Sequence, residues 1–345
     1  MSDKPDKKSR DGPFIRKVII VVALTGFALL LWQLRELLLL VFGAIVVAVI
    51  FHALADPIAR RTRMPEWVAV TIAIILILAI LAVAIWLFGA DMSAQFRNLA
   101  EGLPAAWQSF ETRLGWLGLG GRLESWLSQL AQSGMASPVG LAVALGLTFA
   151  NLLLVFVGGI YLALQPSVYR LGMVKLVPRA RRALVDEAMV DSGRVLKLWL
   201  KGQLLAMLVV GSMTGLGLWL LGVPSALALG LLAGLLEFIP YLGPIAASIP
   251  ALLIALSTGL DLALWTLGLY TVVQQVEGNF IQPMVQRYAV HIPPALLLFS
   301  LIGVGMLFGT IGIFLAAPLT VVAFVLVKLL YVREGLHTAT EIPGA

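Results

Sequence analysis

The chain has 345 residues, 60% of them hydrophobic and only 12% charged, with a net charge of +6 and no cysteine. Soluble domains carry roughly 25% charged residues, so a chain this poor in charge cannot cover its own surface in water, and lipid is the solvent that removes the problem. The missing cysteine excludes a disulfide framework, a thiolate zinc site and a cysteine nucleophile.

Charge spacing makes the class specific. No Asp, Glu, Lys or Arg falls within 18–34, 37–55, 67–90, 125–169, 202–236, 238–260 or 288–327. One membrane crossing takes about 20 apolar residues, so most of these intervals hold one span and the longest hold two short ones. Together with a mean hydropathy of +0.99, they define an all-α integral membrane protein with broken or re-entrant helices and amphipathic interfacial helices. Basic residues cluster in the short segments between apolar runs, which is the pattern of topology rather than of nucleic-acid binding.

In chain order, 1–17 reads as a basic, disordered cytoplasmic tail. Spans follow over 18–34, 37–57 and 67–90. The first lacks a small-x-small cleavage site and reads as a retained span rather than a signal peptide. Arg60, Arg61 and Arg63 form a basic turn before Pro65. With that turn and the N-terminus both inside, 33–36 is outside.

Residues 91–138 mix charges with Trp107, Trp116 and Trp126 and read as amphipathic helices at the outer interface, a cap or a lid. Span four covers 139–164. The segment 165–201 is strongly basic and hence cytoplasmic. Its stripe of Leu184, Val185, Ala188, Met189, Val195, Leu196 and Trp199 predicts an amphipathic helix along the inner surface, leading into span five at 202–222. Acidic-lipid recognition is the sharper alternative for its charges. The C-terminal transport region extends over 202–332. Lys328 and Arg333 place the tail 333–345 inside.

The C-terminal region holds the candidate site. Glu237 stands in the middle of a long apolar stretch, just before Pro240-Tyr241-Leu242-Gly243-Pro244. A charge at mid-bilayer costs several kcal/mol and faces the protein interior or a cavity. Pro240 and Pro244 remove two amide donors, and a broken helix at that depth must be buried or line a cavity. The plainer reading is a hairpin tip with Glu237 solvated. The arms 224–239 and 244–260 are each short, so a re-entrant hairpin and a broken span both fit.

A second cluster comprises Gln274, Gln275, Glu277, Asn279 and Gln282, ending at Pro283. Amides and a carboxylate in one turn suit a cation or a polyhydroxylated solute, and a polar membrane-exit turn reads the same. His291 beside two prolines suits proton coupling or a plain loop. Gly303, Gly305, Gly309 and Pro318 in the last apolar run indicate hinging or close packing.

Enzyme motifs are missing. There is no phosphate-binding Gly-x-x-x-x-Gly-Lys-Ser/Thr loop, no His-Glu-x-x-His zinc motif, no pair of intramembrane aspartates and no rhomboid-like serine pattern. Neither catalysis nor a cofactor nor a metal is expected.

The run Glu237-Phe-Ile-Pro-Tyr-Leu-Gly-Pro, then Gln275-Val-Glu277-Gly-Asn279 with Pro283, then His291-x-Pro293, and Gly-x-Leu-Phe-Gly309 with Ala317-Pro318, resemble the AI-2E (autoinducer-2 exporter) family of bacterial transporters. The resemblance covers about residues 15–335 and implies about eight spans in the bacterial inner membrane. It also implies a homo-oligomer, a pentamer among the options. Its members are linked to export of the quorum-sensing signal autoinducer-2 or to Na+/H+ antiport. A small polar solute, or Na+ and H+, is the expected partner besides membrane lipid. A non-transporting scaffold or regulator is the rival from another class.

Overall fold

The structure is a computed structural model and describes residues 11–79, 82, 138–283 and 292–338. Residues 91–137 of the expected outer segment, most of the second half of span three, and His291 lie outside those described. Every regular element among the described residues is helical.

The helices α1 (Asp11–Gln33) and α2 (Arg35–Thr62) are separated by Leu34 alone. Helix α1 includes 11–17, which the sequence reading assigned to the tail. Its apolar side chains, Ile19, Val22, Leu24, Phe27 and Leu29 among them, are exposed. In water such a surface would drive aggregation, and in lipid it is the proper exterior. Helix α2 ends at Arg63, which takes a left-handed conformation and returns its amide to the Ala59 carbonyl. Helix α3 follows over Glu66–Ala79.

Helix α4 (Pro138–Leu164) packs on α2 through Gly158 and Gly159. A β-carbon on Gly159 would lie 2.6 Å from the Val47 side chain, so only glycine permits this approach. At Gln165-Pro166 the chain turns by 88° into α5 (Pro166–Lys175). Proline has no amide to continue the ladder, and it suits the first turn of a new helix.

Helix α6 (Arg182–Leu220) has 39 residues without a break. It is about 58 Å long at 1.5 Å per residue, well beyond a hydrocarbon core of about 30 Å. The expected boundary between an interfacial helix to 201 and a span from 202 is therefore not a break in the helix. The predicted apolar stripe exists, and it packs against protein rather than lying free for a membrane surface. Ala188, Val195, Leu196, Trp199 and Leu200 form one core with Val46 of α2 and with Ala317, Val321 and Val325 of α10 (Pro294–Leu326). Tertiary packing outbid the interface for that face.

Helices α7 (Ala226–Leu236) and α8 (Leu242–Thr258) make a hairpin. Leu229 and Ala233 of α7 share a core with Ala247, Ala251 and Ile254 of α8. The arms of 11 and 17 residues reach about 16 and 25 Å, short of a full crossing. The hairpin has the shape that the re-entrant option calls for. Helix α9 (Leu260–Val276) continues into a π-helical turn, Glu277–Ile281.

Helix α10 folds back inside its range. Gly309 has φ 66° and ψ −149°, a backbone region that is essentially glycine-only. Beyond it Gly305 meets Ile313, and Gly312 meets the Val304 carbonyl. Residues eight apart on a straight helix are about 12 Å apart along the axis, so the arms 294–308 and 310–326 lie side by side. Pro318 sits inside the second arm, buried, and Gly303 has open space.

Among the described residues, three helices are by length and composition long and apolar enough to cross a membrane, or four if the bent α4–α5 pair is one crossing. One of them, Pro294–Arg333, includes the Gly309 fold-back. Shorter apolar helices fill out the helical membrane architecture.

Candidate functional site

The site forms where two helices end. Helix α7 terminates at Glu237, and Phe238 and Ile239 return their amides to Leu235 and Leu236. Pro240 has no amide to give. Its carbonyl accepts from Leu242 at 2.8 Å across a turn whose apex is Tyr241 at φ 67°. A non-glycine residue at positive φ costs about 1–3 kcal/mol and persists only where the surroundings hold it. Gly243 supplies part of that hold. A β-carbon there would sit 2.0 Å from the Leu236 carbonyl oxygen, so the two arms meet backbone to backbone. Pro244 opens α8 inside its first turn, where a missing amide costs nothing.

This turn fixes Glu237 at 1% exposure. Its main-chain carbonyl accepts a 2.6 Å hydrogen bond from the side-chain amide of Gln203 on α6. Its carboxyl lies beside that of Glu277, and Oε2 of Glu237 has no partner.

Glu277 comes from the second break. It begins the π-helical turn, 8% exposed, and its carboxylate is held on both sides. Gln274 Nε2 donates to Oε2 at 2.8 Å and Gln282 Nε2 donates to Oε1 at 3.2 Å. The π turn makes this possible: one extra residue per turn brings 274, 277 and 282 to one side. Such bulges recur at functional sites.

The structure thus brings together Glu237, Gln274 and Glu277. Tyr241, Asn279 and Pro283 face outward. The Asn279 amide is spent on the carbonyl and side chain of Gln275, at 2.9 and 3.0 Å. Pro240, Gly243 and Pro244 shape the turn rather than present polar groups. Gly305, Gly309 and Pro318 belong to the second fold-back, whose arms grip the first: Ile239 packs with Leu301 and Ala316.

Sequence reading missed two features. Gln203 is a neutral amide, invisible to a survey of charges, yet a lone polar residue in an apolar run was the available signal. The other is the crossing of α6 and α7. Gly211 and Gly215 face Gly234 and Gly230, and a β-carbon on Gly230 would lie 2.3 Å from the Gly215 Cα. Both pairs have the small-xxx-small spacing of close-packed membrane helices. That contact lets α6 come near enough for Gln203 to reach Glu237.

Comparison with known proteins agrees with this architecture. A family model described as AI-2E family transporter matches residues 18–331. The chain belongs to that family.

Among individual AI-2E relatives, YrrI of Bacillus subtilis, named as a candidate transport protein, is 33% identical over 147 residues, 43% of this chain and 42% of the relative. YueF of the same organism is 32% identical over 165 residues, covering 47% and 45%. YhhT of Escherichia coli is 28% identical over 184 residues, covering 50% and 53%. The chain spans about half the length of each of these relatives. The family's description and the names of these relatives are those of transport proteins.

Proposed function

We propose that this chain is a secondary transporter exporting a small polar solute, autoinducer-2 or a related hydroxylated metabolite, from the bacterial cytoplasm across the inner membrane. The observation that carries the reading is the buried Glu237–Glu277 carboxyl pair, with one oxygen unpartnered, seated where α7 ends and α9 turns π-helical. Carboxylates and the amides of Gln274 and Gln282 offer acceptors and donors to hydroxyl groups. Buried ionisable residues inside a membrane are costly and mark pathways.

The orientation in this reading has both termini cytoplasmic. Ion pairs joining Asp56 to Lys197 and Glu187 to Arg333 gather the ends of α2 and α10 and the start of α6 at one face. The basic character of that face suits the inside.

A second reading keeps the site and makes the cargo Na+ exchanged for H+. It is favoured by two buried carboxyls set side by side with one oxygen unpartnered, since hard oxygen ligands suit a small cation.

Reconstituted protein separates these. Under the first reading, Glu237→Gln and Glu277→Gln each lower solute efflux at least tenfold. Unchanged flux in both variants sinks the site assignment. A pH-sensitive dye that responds to Na+ only in wild-type vesicles favours the antiporter. No flux of any tested solute or ion, with a stable partner in pull-downs, favours a scaffold.

A further inference from the structure

We propose that helix α5 is an in-plane anchor for anionic phospholipid, independent of what the transporter carries. Three observations converge on it. The first is direction: α5 leaves α4 at 88°, so beside a membrane-crossing α4 it runs along the surface. The second is its face. Arg170, Val174 and Val177 turn toward the protein, with Val174 buried and Arg170 3.4 Å from Asp186. Outside that face Val168, Tyr169, Leu171 and Met173 are exposed, continued by Leu176, which is 83% exposed. Apolar side chains on the outer arc of a surface helix sink into the acyl boundary.

The third is charge. Both ends of α5 are flanked by exposed basic residues. At the start stand Arg60, Arg61 and Arg63, which follow the core that Ala55 of α2 and Ala163 of α4 share. At the far end stand Lys175, Arg179 and Arg181. Among the described residues none of these six pairs with a carboxylate within 4.0 Å. Asp186, Asp191, Asp56 and Glu187 are each taken by Arg170, Arg194, Lys197 and Arg333. Phosphate is the complementary group. Arg182 belongs to the scaffold instead, donating to the carbonyls of Lys175 and Val177 and so tying α5 to α6.

The occupant is therefore an anionic leaflet, headgroups on the basic flanks and acyl chains under Leu176. Each juxtamembrane basic residue near an anionic surface strengthens association about fivefold. Removing three lowers it on the order of a hundredfold by the same measure.

The test uses the full chain, whose lack of cysteine permits a single probe. Leu176→Cys is labelled with an environment-sensitive fluorophore and reconstituted in phosphatidylcholine vesicles with and without phosphatidylglycerol. The expected result is blue-shifted emission, quenched by shallow nitroxide lipid, that deepens with phosphatidylglycerol. Adding K175Q, R179Q and R181Q abolishes the deepening, and 0.5 M salt weakens it. A probe that is water-exposed in both vesicle types overturns the proposal. So does a buried probe indifferent to lipid charge and to the three substitutions. The six flanking sites are exposed, and circular dichroism with thermal unfolding confirms that the variants fold.

Discussion

Glu237 acquires its setting from single atoms rather than from its neighbourhood in sequence. The turn that buries it depends on Gly243, whose absent β-carbon leaves room for the Leu236 carbonyl. Gly243→Ala forces backbone against backbone and has no flexible side chain to push aside. It should cost about 3 kcal/mol, at the upper end of overpacking losses. Gly268 on α9 is the contrast, with nothing within 4 Å of its β-position. Gly268→Ala should gain about 1 kcal/mol from helix propensity. Thermal unfolding in one detergent measures both. If the two variants melt alike, the turn is not held by Gly243. At this scale the sequence was informative about Glu237 and Glu277, because a carboxylate in an apolar run announces itself. It said little about which amides face them. Asn279 and Gln282 look equivalent on paper, and only the π-helical turn sends one outward to Gln275 and the other to Glu277.

Between elements, the decisive contact is the crossing of α6 and α7. Lipid supplies no hydrophobic force between helices, so association rests on close packing and hydrogen bonds. Gly211, Gly215, Gly230 and Gly234 let the backbones touch, and Gln203 then reaches the Glu237 carbonyl. Gly230→Ala should therefore do more than lose stability. It lifts α6 from the end of α7 and breaks the Gln203 bond. The expected loss is about 3 kcal/mol, of which roughly 1 kcal/mol belongs to the hydrogen bond. Gln203→Leu isolates the second part: a loss of about 1–2 kcal/mol with the crossing intact. A double-mutant cycle decides the matter, because Gln203→Leu should cost far less in the Gly230→Ala background. Fully additive losses would mean that the crossing does not position Gln203. The helix stripe of 184–199 was legible from its period, yet its partner was not. Periodicity says that a face is apolar, and it does not say whether lipid, α2 or α10 will cover it.

Across the whole molecule, the two fold-backs and the long helices must keep one relative placement, and the packing of Ile239 against Leu301 and Ala316 is small. Larger constraints act at the charged end. Lys197 reaches Asp56 at 2.7 Å, tying α6 to α2, and Arg333, at the end of the π-helical segment Val327–Arg333 that continues α10, grips Glu187 of α6 with two bonds of 3.0 and 2.8 Å. Long charge-free intervals revealed the spans but hid this arrangement, since pairing partners 141 and 146 residues apart leave no local trace.

The two bonds should behave differently. Asp56 and Lys197 are largely sheltered, so Asp56→Asn leaves a sheltered ammonium unpaired and costs about 2 kcal/mol. Adding Lys197→Met should recover about half of that. Glu187 is open to water, so its pair contributes under about 1 kcal/mol. The Arg333 guanidinium, hydrogen-bonded to it beyond the apolar stretch of either helix, holds the Glu187 carboxyl below its ordinary range. A carboxyl whose folded pKa is depressed stabilises the fold above the unfolded value and loses that contribution as pH falls through the folded one. The stability difference between wild type and Glu187→Gln should thus be present at neutral pH and vanish in acid below the ordinary carboxylate range. Urea or thermal unfolding in detergent across that range reads it directly, and a difference that persists unchanged in acid would remove this pair from the clamp.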